Sequence, residues 1–235
     1  MSNITLTPND YWECFVFALR MWYSGKKAKQ DWRRAGERDI GDYLNDHIEG
    51  KLGEIAFAKF LKEHHGIDVE VDLEIKPGIH AINSSDIKAV TIGGVKISPR
   101  IKIDVKTTSL KSKYLLIDAK EFQTRVYDAY VLVMLNLPKD HLLRFLIDRI
   151  EIPEDLKKHI EPLKHIEATI AGFAYRNDVE EKGKLYNAGS WLPDPDKPNR
   201  KLVQLKADSY ALSINKLRSS EDDWRELVYK LYNAN

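Results

Sequence analysis

The sequence has only one cysteine, Cys14, among its 235 residues. A single thiol excludes an intramolecular disulfide framework and any multi-cysteine zinc site, so we expect a buried free thiol. Long apolar runs are also missing. The longest, around Tyr130 to Leu137 and Leu142 to Ile147, are too short to span a bilayer and are better assigned to core strands. Because no signal peptide precedes the predicted core, we expect a cytoplasmic protein that does not enter a membrane.

The chain also lacks a strong excess of charge, because 37 basic and 36 acidic residues give a formal net charge of +1. This balance neither requires nor excludes nucleic acid as a partner, so local clusters of charge are more informative than the total. The sequence has no Gly-rich phosphate loop and no ATP-binding signature. We therefore expect no ATP-driven activity from this chain.

The most informative segment is Arg100 to Thr108, where apolar and polar residues alternate. Ile101, Ile103 and Val105 fall on one side of the predicted strand, and Lys102, Asp104, Lys106 and Thr108 fall on the other. Such a strand buries one face and presents a polar row on the opposite face.

A second carboxylate is expected beside Asp104. The segment from Asp86 to Ile92 also has the pattern of a strand, and Gly93-Gly94 followed by Val95 to Ile97 supplies a turn. A hairpin folded about the diglycine places Asp86 roughly opposite Asp104, so the two carboxylates converge beside Lys106.

Two converging carboxylates resist ionising together unless a hard cation lies between them. Oxygen ligands favour Mg²⁺ or Mn²⁺, and such an ion polarises a phosphodiester and lowers the pKa of a bound water. Lys106 would then either hold the attacking water and offset the charge of the phosphorane, or lose its proton and act as the base. The sequence leaves both roles open and predicts a magnesium-dependent site that hydrolyses phosphodiesters.

Glu54 is expected to reach this site from a different element. Apolar residues between Ile48 and Leu61 form a broad stripe that predicts a helix, and Lys51 lies one turn from Glu54. Gly50 and Gly53 each cost a helix on the order of 1 kcal/mol relative to Ala, which suggests close packing against the sheet. Glu54 is then a third acid, which binds the metal directly or through water.

A helix Glu, an Asp at the head of a strand and then Asp-x-Lys on the next antiparallel strand resemble the PD-(D/E)XK nuclease superfamily, which includes most type II restriction endonucleases. The resemblance covers roughly Asp42 to Leu135, with a second helix near Glu121 to Asp128 and the apolar strand Ala129 to Leu135. It implies an α/β, restriction-endonuclease-like core with a central mixed β-sheet flanked by helices. The metal ligands that it implies are Asp86, Asp104, Val105 and Glu54, and it assigns the water to Lys106.

Two features depart from the usual pattern of this superfamily. Ser85 stands where the motif has Pro, and the hairpin between Asp86 and Asp104 is long. Asp72 and Asp68 are alternative partners for Asp104, although neither is placed as well relative to the diglycine. Asp-x-Lys alone also fits a solvated strand face, so the prediction depends on the combination of strand, hairpin and helix.

Two basic clusters are candidates for DNA contact. The first lies between Lys26 and Arg38 and includes Lys29, Arg33, Arg34 and Arg38. Lys111 and Lys113 form a weaker second cluster after the catalytic strand. Both clusters suit contacts with backbone phosphates. The alternatives are a solvated helix face or loop for the first cluster and an ordinary polar turn for the second.

Outside the core, helices are predicted at Pro8 to Ser24, Glu154 to His165 and Ser220 to Tyr232, and strands at Leu143 to Ile152, Glu167 to Arg176 and Leu202 to Leu205. Asn9 or Asp10 is expected to cap the first helix. The last helix is amphipathic, and its apolar face would pack on its own core or on a second subunit. The segment from Asn177 to Lys201 lacks periodicity and predicts a long loop, which either lines a DNA groove or is a plain surface insertion.

We expect two regions, an N-terminal helical and basic segment at residues 1–41 and a nuclease domain with C-terminal additions at residues 42–235. The expected activity is Mg²⁺-dependent hydrolysis of double-stranded DNA that leaves a 5′ phosphate, by a type II restriction endonuclease acting as a homodimer. The alternatives are a phage or archaeal repair or recombination nuclease, and a DNA-binding module whose nuclease-like site is inactive.

Overall fold

The computed structural model describes residues 1–24, 39–74 and 85–233, which form a mixed α/β fold. The helices are α1 (Pro8–Tyr23), α2 (Ile40–His65), α3 (Ala119–Thr124), α4 (His141–Leu146), α5 (Glu154–Lys157), α6 (Arg176–Lys182) and α7 (Glu221–Tyr232). The strands are β1 (Ser2–Leu6), β2 (Asp68–Val71), β3 (Ile87–Ile92), β4 (Val95–Ile97), β5 (Ile103–Ser109), β6 (Tyr114–Asp118), β7 (Ala129–Leu135), β8 (Ile166–Tyr175), β9 (Lys184–Tyr186), β10 (Trp191–Asp194), β11 (Lys197–Gln204) and β12 (Ser209–Ser213).

The central sheet has the strand order β1-β8-β7-β5. β5 runs parallel to β7, whereas β7 and β1 both run antiparallel to β8. β7 is buried along its whole length, which explains its continuous apolar sequence. Among the described strands, β5 forms one end of this sheet, so one of its edges faces segments outside the sheet.

Two layers cover the central sheet. On one face, α1, α2 and α7 pack against side chains such as Val105 and Val131 in the larger hydrophobic core. On the other face, α3 and a sheet of order β6-β12-β9 pack against side chains such as Tyr130 and Leu132. The expectation of a central mixed sheet flanked by helices is therefore confirmed, and a second small sheet forms part of one layer.

The first and last of the long helices lie where the sequence predicts them. Thr7, rather than Asn9 or Asp10, caps α1, and Asp10 closes the capping box from the first turn. The apolar face of α7, which includes Trp224, is buried in the core of the same chain, so its second predicted partner, another subunit, is not needed. Cys14 is a buried free thiol, as expected.

Several predicted elements are wrong in the second half of the chain. Leu143 to Ile152 is not a strand, and its first residues belong to the helix α4. The buried residues His141 and Phe145 are four positions apart, which is the spacing of one helix face. The helix expected from Glu154 to His165 ends at Lys157, and Pro162 has no N–H with which to continue it. The strand expected near Glu167 to Arg176 is confirmed as β8.

The segment from Asn177 to Lys201 is also more regular than its composition suggests. It contains most of α6, all of β9 and β10, and the first part of β11. The strand predicted at Leu202 to Leu205 is the end of β11. No helix among the described residues is long and apolar enough to cross a membrane.

Candidate active site

The candidate site lies at the open edge of β5, where the residues just before β3 bond to it. The N–H of Asp86 donates to the carbonyl of Ile103 at 3.1 Å, and the Ser85 hydroxyl lies 3.1 Å from both the N–H and the carbonyl of Ile103. The N–H of Val105 donates to Asp86 Oδ2 at 2.7 Å. The backbone of β5 therefore fixes the Asp86 carboxylate beside Asp104.

Asp86 does not reach Asp104 through the register of the predicted hairpin. Gly93 and Gly94, with φ angles of 57° and 82°, do turn the chain between β3 and β4. β4 ends at Ile97, however, and Pro99 interrupts the chain before β5 begins in a different sheet. The two acids come together because one sheet packs against the edge of the other.

The acids of the site disfavour one another's ionisation. Burial and then the charge of Asp104 raise the pKa of Asp86 to about 7. Burial and then the charge of Asp86 raise the pKa of Glu54 well above its usual range, although the nearby Lys51 opposes this shift. These acids therefore need compensating positive charge before they can all be ionised at neutral pH.

Glu54 reaches the site from α2, whose close approach to β5 depends on Gly53. A Cβ atom on Gly53 would lie 2.0 Å from Thr107 Oγ1, so glycine is required at this contact. Glu54 is buried, and its Oε2 lies 2.6 Å from Lys51 Nζ. The close packing predicted for the two helix glycines is confirmed for Gly53 but not for Gly50, where a Cβ atom would meet nothing within 4 Å.

Lys106 is held between two carboxylates. Its Nζ lies 2.7 Å from Asp104 Oδ2 and 2.9 Å from Glu121 Oε2. The exposed fraction is only 8% for the side chain of Asp104, 15% for Lys106 and 11% for Glu121. This part of the polar face of β5 is therefore a buried charge cluster, which excludes the alternative of a solvated strand face.

Glu121 was expected in the second helix but without a role in the site. It stands in the first turn of α3, where its N–H donates to the capping residue Asp118 at 2.9 Å. Its Oε1 accepts from Arg125 Nη1 at 2.8 Å, so both of its oxygens are engaged. The Glu-x-x-x-Arg spacing that links these two residues was visible in the sequence and could have drawn attention to Glu121.

Tyr127 is a second residue whose connection to the site was missed. Burial and then the charges of Asp104 and Asp86 raise the pKa of its hydroxyl to about 12. Tyr127 lies in the loop between α3 and β7, which has no periodic pattern. Only the packing of this loop reveals its proximity to the acids.

The two alternative partners of Asp104 occupy different places. The carbonyl of Asp72 accepts from Lys51 Nζ at 2.8 Å, and the N–H of Asp72 donates to the carbonyl of Asp86 at 3.3 Å. Asp72 thus adjoins the site through its backbone. Asp68 forms an ion pair with Lys62 in the last turn of α2. Asp86 is the better partner of Asp104, because its carboxylate itself is bonded to β5.

Of the predicted DNA contacts, Lys29, Arg33, Arg34 and Arg38 lie outside the described residues. Lys111 and Lys113 are exposed in the turn between β5 and β6, at the end of the predicted catalytic strand. Lys113 Nζ lies 3.0 Å from Asp196 Oδ2, which joins this turn to the turn between β10 and β11.

The donor set of the site suits a hard divalent cation in its chemistry, because Asp86, Asp104 and Glu54 offer carboxylate oxygens. Within residues 1–24, 39–74 and 85–233, no group of three or more His, Cys, Asp and Glu side chains is arranged to hold a metal ion. Lys51 and Lys106 instead contact the carboxylates of Glu54 and Asp104. A bound cation would therefore have to displace these lysine contacts.

Comparisons with family models, with curated proteins and with solved structures give no significant match to this chain. The residues of the site are therefore the basis on which a function can be assigned.

Proposed function

We propose that the chain is a Mg²⁺-dependent endodeoxyribonuclease with a site of the PD-(D/E)XK type. The observation that carries the proposal is the 2.7 Å bond from the Val105 N–H to Asp86, which holds this acid beside Asp104 and Lys106. Buried acids that raise each other's pKa destabilise a fold, so they occur mainly where function requires them. Metal-assisted hydrolysis of phosphodiesters is the chemistry that such a group suits best.

In the proposed site, Asp86 and Asp104 would hold Mg²⁺, and Val105 and Glu54 would contribute directly or through water. The ion supplies a polarised phosphate and a more acidic water. With Asp104 engaged by the cation, Glu121 would keep the Lys106 ammonium in place through their existing contact. The adjacent Glu121 carboxylate favours the charged form of the amine, so we propose that Lys106 stabilises the developing phosphate charge instead of acting as the base.

The biological role that we favour is a type II restriction endonuclease that acts on duplex DNA as a homodimer and leaves 5′ phosphates. Two copies would place one site on each strand, matching the symmetry of a palindrome. A repair or recombination nuclease would share the same site and differ in the DNA structures that it selects.

Incubation of supercoiled plasmid with the protein and Mg²⁺ tests the proposed function. Discrete bands are expected from a restriction endonuclease, and linear DNA should form without accumulation of nicked circles if a dimer cuts both strands. Smearing, or a preference for branched DNA, would instead favour the repair or recombination nuclease. DNA binding without any cleavage would contradict the nuclease proposal.

Two substitutions test the site itself. Asp104→Ala and Lys106→Ala are each expected to reduce cleavage by at least about 100-fold while DNA binding is largely kept, because each removes a group that contacts the reacting phosphate or its metal. Glu121→Gln should lower kcat more than it changes KM, since Glu121 acts through Lys106. Lys120→Ala, at an exposed lysine of the same helix, is the matched control. Unchanged turnover in either of the first two variants would refute the assignment.

A further inference from the structure

The β10–β11 hairpin forms a two-stranded antiparallel ribbon outside the other sheets. Leu192 anchors it in a small apolar cluster that includes Tyr114 and Leu205. Trp191 and its register partner Gln204, which neighbour the inward-facing Leu192 along the chain or across the pair, are both exposed, Trp191 at 47%. The ribbon therefore has one face packed on the protein and one face directed to solvent.

The solvent-exposed side of the ribbon is basic. Lys197, Arg200 and Lys201 are all exposed, and β11 contains no acidic residue. The one acid of β10, Asp194, is buried, and its Oδ2 lies 3.9 Å from Arg200 Nη1. Lys201 Nζ lies 5.9 Å from the centre of the Trp191 ring. Cations interleaved with an exposed aromatic ring are typical of surfaces that bind nucleic acid.

The ribbon is attached to the end of the predicted catalytic strand. The Tyr114 hydroxyl donates to the carbonyl of Pro193 at 3.0 Å, and Lys113 pairs with Asp196 at 3.0 Å. Leu110, where the turn after β5 begins, lies four residues beyond Lys106 in the sequence. Four residues of strand span about 13 Å, which is less than one turn of B-DNA at about 34 Å. One duplex is therefore long enough to contact both the site and the ribbon.

We propose that the β10–β11 ribbon binds the major groove of the duplex whose scissile phosphate lies at Asp104 and Lys106. A two-stranded ribbon fits the width of this groove. Lys111 and Lys113 then face the backbone phosphates between the groove contact and the site. The position of the duplex rests on the proposed nuclease function, whereas DNA binding by the ribbon is measurable without cleavage.

Fluorescence anisotropy with a labelled duplex of about 30 base pairs in EDTA tests the ribbon without cleavage. Arg200→Ala combined with Lys201→Ala is expected to weaken binding about tenfold at low salt and to reduce the salt-dependence slope by about two, because two phosphate contacts are lost. Lys62→Ala combined with Arg225→Ala is the matched control. Lys62 and Arg225, on the α2 and α7 side of the protein, are each 67% exposed, against 66% for Arg200. The control should bind like the wild type.

The ribbon proposal would be overturned if the Arg200→Ala/Lys201→Ala variant and the wild type had equal affinity and equal salt slope. A loss of affinity confined to single-stranded DNA would also overturn it, as would a wild type that does not bind duplex DNA. Lys197→Glu is a second variant, and its reversed charge should also weaken binding. A melting temperature equal to that of the wild type shows that each variant is folded. Plasmid cleavage by the wild type together with normal binding by the ribbon variants removes only the ribbon proposal. Weakened binding in the ribbon variants, with no cleavage by the wild type, removes only the nuclease proposal.

Discussion

Asp86 shows at the scale of a single residue what the candidate site costs the fold. Burial and the charge of Asp104 raise its pKa to about 7, from an ordinary value of 3.8. A pKa raised in the folded state means that this state binds the proton more tightly than the unfolded chain does. The stabilisation is present below about pH 4 and is lost as the pH rises through about 7.

Asp86→Asn is therefore expected to raise the Tm of the metal-free protein at pH 8 and to have little effect on Tm below about pH 4, where Asp86 is already protonated. If Mg²⁺ binds as proposed, it should raise the Tm of the wild type but not of this variant, because the variant lacks the carboxylate that would bind the ion in the folded state. Calorimetry in EDTA and in Mg²⁺ measures both effects. Glu63→Gln, at an exposed acid of α2, is the control and should show neither. A lower Tm for Asp86→Asn at pH 8 in EDTA would contradict this account.

At the scale of the secondary-structure element, the contact between α2 and β5 decides where Glu54 lies. Gly53 is next to Glu54 and has no room for a side chain, because Thr107 occupies that space. Gly50 stands one turn earlier on the same helix and has open space around it. The two glycines thus offer a matched pair in which one packs against the site and the other does not.

Gly53→Ala is expected to destabilise the protein by about 1–3 kcal/mol through overpacking and to reduce cleavage by displacing Glu54. Gly50→Ala should stabilise it by up to about 1 kcal/mol, because alanine favours the helix, and should leave cleavage unchanged. Urea unfolding and plasmid cleavage measure the two effects. Adding Thr107→Ala to Gly53→Ala should recover part of the lost stability, and equal effects of the two glycine substitutions would argue against the contact.

At the scale of the whole molecule, global stability includes a buried hydrogen bond between α1 and α4. The Tyr11 hydroxyl lies 2.6 Å from His141 Nδ1. Burial lowers the pKa of His141 to about 4, from an ordinary value of 6.5. The unfolded chain therefore binds a proton in this interval that the folded chain does not, so this group stabilises the fold above about pH 6.5 and its contribution is lost as the pH falls towards 4.

Between pH 7 and pH 4, His141 binds a proton in the unfolded chain but not in the folded protein. This difference is expected to lower the free energy of unfolding by up to about 3 kcal/mol. His141→Gln should lower stability at pH 7 but make it less sensitive to acid over this interval. Because Asp86 acts in the opposite direction over much of the same interval, urea unfolding of the variant and the wild type must be compared at each pH. A parallel pH dependence of the two proteins would show that His141 does not titrate in this way.

The elements that the sequence alone determined are those with an uninterrupted local pattern. The apolar strand at Ala129–Leu135, the alternating residues of β5 and the stripe of α7 all form as expected, since periodicity among neighbouring residues reflects which face is buried. The Gly53-Glu54 pair on a helix was also evident, because it belongs to the stripe of α2.

Only the tertiary structure decided how the site is assembled. Asp86 meets the Val105 backbone across 19 positions of sequence, and Lys106 meets Glu121 across 15, so neither contact follows from a local pattern. The β10–β11 ribbon could not be predicted from the sequence, for a related reason. Its Pro and Asp residues disrupt the alternating pattern of a strand. The ribbon is held to the protein by Leu192, which is buried beside Tyr114, a residue distant in the sequence. Local periodicity fixes which residues form an element, whereas the packing of layers fixes which elements bring their charges together.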